Sequence, residues 1–186
     1  MSQMDEKEIK LSAIFFDFLR FCLQEDAAEP AGLAEMDWDA LYDFGYKQAI
    51  LGVFFHGIKR LSQSEHRPGR QQVLKWYGSC SVIGQANRQA YKDASELTAL
   101  MLKKHGVHGC VLKGQTNALM YPDPYMRTSG DIDLWTEAKT LDVIRISRQL
   151  DSRGEIGYHH IEVGCFKTPV EVHFFPSFMG NLWHEY

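Results

Sequence analysis

Asp131 and Asp133 stand two residues apart around Ile132, in the run Gly130-Asp131-Ile132-Asp133-Leu134-Trp135. The alternation of polar and apolar residues predicts a strand over 131–136. Residues i and i+2 of a strand point to the same face, so the two carboxylates project together. Carboxylates held side by side repel, and a divalent cation between them relieves the repulsion. Mg²⁺ suits such a place, because it is held by one or two carboxylates together with substrate phosphates. That is the starting geometry for metal-assisted phosphoryl or nucleotidyl transfer. An Asp-x-Asp is also short and common, and after a glycine it equally describes a turn leading into an ordinary edge strand.

Three further groups of residues fit the same chemistry. Lys113-Gly114-Gln115-Thr116 lies between an apolar run and a helical pattern. Backbone N–H groups at a helix start attract anions, glycine lets a phosphate approach, and Lys113, Gln115 and Thr116 add charge and donors. A plain strand-to-helix turn has the same composition. Arg127 precedes Asp131 by four residues in a proline-rich loop. Its guanidinium suits phosphate oxygens, or else pairs with Asp123 or a site aspartate and orients the loop. Finally, Val170-Glu171-Val172-His173-Phe174 places Glu171 and His173 on one strand face. Glu171 would be a third acid able to place or activate an attacking oxygen, with His173 in support. The other reading is two polar side chains facing solvent.

The elements that must position these residues follow from periodicity. Helices are expected over 6–24, from an Asp37 N-cap, over 51–61 and over 70–105, where Gly106 suits the residue after the helix end. The first hundred residues are thus nearly all helix, with an aromatic stripe that reads as core. After Gly106 the pattern changes: a short strand over 109–112, a helix over 115–121, a loop over 125–130, the Asp strand, and a helix over 139–150. Two strands over 158–166 and 170–175 are joined by Lys167-Thr168-Pro169 as a hairpin-like pair. Two regions are therefore expected, a helical one over 1–105 and an α/β core over 106–186. The tail, Met179 to Tyr186, ends abruptly, as in a fragment of a longer chain.

Bulk properties narrow the classes. The chain has 186 residues, 45% of them hydrophobic, enough for a real core. A net charge of -4 gives no global attraction to nucleic acid or anionic membrane. No apolar run reaches the roughly 20 residues of a membrane helix, and the N-terminus lacks a signal-peptide pattern, so a cytoplasmic location and no membrane partner are expected. The four cysteines, Cys22, Cys80, Cys110 and Cys165, are scattered among apolar residues and read as reduced core thiols. The histidines at 159 and 160 read as strand residues near the site at best, with no spacing typical of metal ligands.

The stretch VLKGQTNALMYPDPYMRTSGDIDLW together with YHHIEVGCFKTPVEVHFFPS resembles a bacterial family of uncharacterised nucleotidyltransferases, within the fold class of DNA polymerase beta and its relatives. The resemblance runs from Val111 to Ser177. It implies an α+β fold, in which a helical N-terminal region precedes a small mixed β-sheet with flanking helices. It implies Asp131, Asp133 and Glu171 as catalytic acids and ligands of one or two Mg²⁺ ions. It also implies Lys113 and Gly114 as the phosphate turn, although Gln115 stands where the classical turn has serine. ATP or another nucleoside triphosphate would be the substrate. A small molecule, a protein side chain or an RNA end would accept the nucleotide. A domain of this kind without activity, used as a nucleotide sensor or protein-interaction module, is the alternative.

Overall fold

In the computed structural model, residues 6–128 and 130–175 are described, with side chains from residue 13 onward. The expected apolar tail at 179–186 lies outside the described residues. The chain forms two compact units, one of residues Met1–Gln85 with Ala118–Thr128, the other of Ala86–Asn117 with Ser129–Tyr186. The change from helical to mixed pattern falls at Gly106, whereas the units divide inside the longest helix.

The first unit is built from α1 (Glu6–Leu23), α2 (Trp38–Lys47), α3 (Leu51–Arg60) and the first part of α4 (Arg70–His105). Asp37 caps α2 as its sequence position predicts, its side chain accepting from the N–H groups of Asp39 at 3.1 Å and Ala40 at 2.9 Å. The aromatic stripe is core: Phe18, Leu41, Phe54 and Trp76 are buried, and Phe18 meets Trp38 edge-on at 5.4 Å. Gly57 lets α1 and α3 approach closely, since a Cβ there would sit 2.2 Å from the Cys22 sulfur. Arg60 donates to the carbonyls of Phe21, Gln24, Glu25 and Ala27, satisfying the C-terminal end of α1 and the turn after it. A cavity of about 530 Å³ in this unit is lined by Phe55, Ile58, Val73, Leu74 and basic residues such as Lys59 and Arg67. It contains no carboxylate or imidazole.

The second unit carries a four-stranded sheet in the order β1-β2-β4-β3. Its strands are β1 (Gly109–Val111), β2 (Ile132–Thr136), β3 (His160–Val163) and β4 (Val170–His173). The β1/β2 and β3/β4 pairs are antiparallel, and β2/β4 is parallel, so the sheet is mixed. Helices α5 (Gln115–Ala118) and α6 (Thr140–Leu150) complete the unit. One sheet face is apolar. Ile132, Leu134, Ile161, Val163, Val170 and Val172 pack with Ala90, Ala94, Leu97 and Met101 of α4 and with Val143 and Ile146 of α6. By strand alternation the opposite face carries Asp133, His160, Glu162, Glu171 and His173.

The expected elements are present, α4 with the bounds expected and most others with shorter ones. β2 begins at Ile132, so Asp131 sits one residue before it. α5 ends at Ala118, because Leu119 and Met120 already form an exposed turn ahead of Pro122. β3 is confined between Gly157 and Gly164. The thiols divide: Cys22 and Cys80 are buried, and burial pushes each up to about 12. Cys110 and Cys165 are exposed, which corrects their reading as core residues. Cys110 pairs with Trp135 across the β1/β2 ladder, on the polar face of the sheet. No helix among the described residues is long and apolar enough to cross a membrane.

Candidate functional site

The site is set by the register of β2 and β4. In that parallel pair Asp133 is the Cα partner of Glu171, and Trp135 of His173. Partners in a strand pair lie side by side with their side chains on the same face. With Asp131 just before β2, the three carboxylates offer oxygens all within 4.8 Å of one another. The register is fastened from outside the sheet. Asp93 on α4 accepts from the Thr168 N–H at 2.9 Å and from the Gln89 amide at 2.8 Å. Next in the chain, the Pro169 carbonyl accepts from the Ile132 N–H at 2.9 Å. Asp93 thus holds the loop that starts β4, and that loop holds the start of β2. Burial opposes ionisation of Asp93, but the Thr168 and Gln89 hydrogen bonds outweigh it and keep the carboxyl below its ordinary value of 3.8.

Asp133 is almost fully buried, at 1% exposure. Its Oδ1 lies 3.0 Å from the Lys113 ammonium and 3.0 Å from His173 Nε2. Both of these partners sit on Oδ1. The hydrogen bond to Asp133, reinforced by the charges of Asp131 and Glu171, raises the Lys113 pKa above its ordinary value. Lys113 is therefore the cation that balances the acid cluster. Its position depends on Gly114, whose φ of +62° is a left-handed conformation that other residues adopt only at a cost. On the far side, Thr116 donates its hydroxyl to the Val111 carbonyl at 2.8 Å, closing the turn. Gln115 is buried, with neither its amide nitrogen nor its oxygen partnered.

The structure therefore brings Asp131, Asp133, Glu171, Lys113 and His173 together in the second unit. Gly114, Gln115 and Thr116 form the adjoining turn. Arg127 belongs to the first unit, directly after the Pro124–Met126 turn capped by Asp123. The acid cluster opens on a cavity of about 380 Å³ whose lining includes Asp131, Glu171, Val170, Arg153, Glu155 and Glu162. The first unit holds a larger cavity, but its lining carries none of these acids.

Sequence reasoning undervalued His159 and His160. Hairpin pairing sets the start of β3 beside the end of β4, with His160 opposite His173. The rings of His159, His160 and His173 then lie with centroids 4.8 to 5.5 Å apart. His160 Nδ1 and His173 Nε2 are each 3.4 Å from Glu171 Oε2. Burial, with the neighbouring imidazoles, holds His159 below its ordinary pKa, so it stays neutral. The signal was present in the hairpin: antiparallel strands of this length place the Tyr158-His159-His160 end against His173.

Three acids on or beside adjacent strands next to a glycine turn, on the polar face of a small mixed sheet, define a nucleotidyltransferase-like core. The family comparison agrees: residues 34–174 match the family described as Uncharacterised nucleotidyltransferase, and the chain belongs to it. The match starts well before Val111, so α2, α3 and α4 fall within it, while α1 lies outside it. No curated protein and no solved structure gave a match.

Proposed function

We propose that the protein transfers a nucleoside monophosphate from a nucleoside triphosphate to a hydroxyl acceptor, with Mg²⁺ at Asp131, Asp133 and Glu171. The observation that carries this reading is the meeting of three carboxylates across the β2/β4 pair. The donor set is all oxygen, which fits a hard cation. Mg²⁺ bound there would polarise the transferred phosphoryl group and neutralise charge developing on it. The protein's own groups do the rest. Lys113 brings a positive charge to the phosphates and Gly114 gives them room. Glu171 orients the acceptor hydroxyl and takes up its proton as the oxygen attacks, and His173 holds Asp133 in place. The attacking oxygen forms a bond to the α-phosphorus as the bond to the bridging oxygen breaks, and pyrophosphate leaves. A role for Arg127 at the phosphates rests on its sequence position alone. A cytoplasmic location rests on the absence of a long apolar run from the sequence, and a bacterial origin on the family resemblance alone.

A second reading is a nucleotidyltransferase-like domain without activity, serving as a nucleotide sensor or interaction module. The observation in its favour is the Lys113 ammonium seated on Asp133, which satisfies the acid without any metal. Incubation with α-labelled ATP, CTP, GTP and UTP and Mg²⁺ in host lysate decides between them, with Asp133→Asn as control. A labelled product absent from the variant supports transfer and identifies the acceptor. No label, together with a nucleotide-induced thermal shift that needs no Mg²⁺, would move the assignment to the sensor.

A further inference from the structure

Beside the acid cluster lies a group of ligands of a different chemistry. His159, His160, His173 and Glu171 each offer one ligand atom, and these lie within 4.8 Å of one another. The Nδ1 atoms of His159, His160 and His173 are buried and have no hydrogen-bond partner. Buried polar atoms are almost always satisfied, so three orphans in one cluster need an explanation. His173 itself is 4% exposed. Donation from its Nε2 to Asp133 leaves Nδ1 with a bare lone pair, and a carboxylate behind a histidine is the usual support of a metal ligand.

The spacing also fits. Bonds of about 2.0–2.1 Å to a tetrahedral Zn²⁺ place ligand atoms roughly 3.4 Å apart. His160 Nδ1 already lies 3.4 Å from Glu171 Oε2. Room for the His160 ring is kept by Gly157, where a Cβ would sit 2.7 Å from His160 Nε2.

We propose that His159, His160, His173 and Glu171 form a second cation site, selective for a borderline divalent metal of the Zn²⁺, Co²⁺ and Ni²⁺ class. Imidazole donors favour these ions, whereas Mg²⁺ keeps to oxygen ligands. The site stands apart from the transferase reading. Its consequence for that reading is coupling, because Glu171 belongs to both ligand sets: an ion on the imidazoles weakens Mg²⁺ at the acids, and the reverse holds equally.

Co²⁺ is the probe, with the whole chain freed of any purification tag. The expected result is a visible absorption band of imidazole-bound Co²⁺, abolished by one equivalent of Zn²⁺ and weakened but not abolished by excess Mg²⁺, which competes only for the shared Glu171. His159→Gln and His160→Gln lower Zn²⁺ affinity about a hundredfold each and remove the band. Asp131→Asn keeps it while losing the Mg²⁺-dependent nucleotide response. Should the His160 variant fail to fold, His159→Gln alone decides, since that side chain is only partly buried. A folded protein without the band, or a band that survives both histidine variants, overturns the proposal. A band with no nucleotidyl transfer leaves this site standing and removes the transferase reading instead.

Discussion

Asp133 of β2 and Glu171 of β4 are direct partners in a parallel strand pair, although α6 and β3 lie between them in sequence. Everything proposed for the site depends on that pairing. Replacing Asp133 by Asn keeps the shape and removes the charge. Nucleotide incorporation should fall by at least about a hundredfold, equivalent to roughly 2.7 kcal/mol of barrier. The stabilisation by Mg²⁺ with nucleotide should vanish from thermal melts. An Asp133→Asn protein as active as the parent would remove Asp133 from the metal set.

Lys113 competes with a metal for Asp133 and assists a phosphate. Lys113→Met should therefore bind Mg²⁺ alone about tenfold more tightly, since a cation beside the acids is gone. The same variant should bind nucleoside triphosphate more weakly. Calorimetric titration of each ligand separately tests the pair of opposite signs. Parallel weakening of both would show that Lys113 only supports the fold.

Gly114 is required by its backbone. At φ +62°, Gly114→Ala should cost about 1–2 kcal/mol. For a chain of this size that lowers Tm by roughly 2–4 °C per kcal/mol. A variant with unchanged Tm would show that the turn relaxes to another conformation.

Asp93 has a folded pKa below its ordinary value of 3.8, so the unfolded chain takes up its proton first as pH falls. Its contribution is fully present above 3.8 and is lost as pH drops through the lower folded value. Asp93→Asn also turns an amide donor toward the Thr168 N–H or the Gln89 amide, and should cost roughly 1.5–3 kcal/mol near neutral pH. Urea unfolding of parent and variant should therefore converge in acid. A gap independent of pH would place the effect in packing instead of charge.

Local pattern made much of this legible. α4 spans Arg70–His105 as its apolar stripe and flanking Gly69 and Gly106 predict, because an unbroken helical period with breakers at both ends leaves little freedom. The nearness of Asp131 to Asp133 followed from their two-residue spacing, although Asp131 stands just before β2 and not in it. What stayed hidden depended on pairing between distant segments. Nothing near Asp133 states that its strand runs parallel to the one bearing Glu171. Nothing near Asp93 marks it as the acceptor that secures Thr168. Cys110 has apolar neighbours in sequence yet faces outward, because the short β1 turns one of its three residues to the polar side.

The parallel β2/β4 pair also sets an order of events. Pairing strands across an intervening helix and strand is a slow, non-local step of folding. The three acids therefore come within reach of one another only as the sheet closes, and a nascent chain has no metal site to offer. A bound ion should leave the folding rate nearly unchanged and slow unfolding instead, acting as a latch on a finished structure.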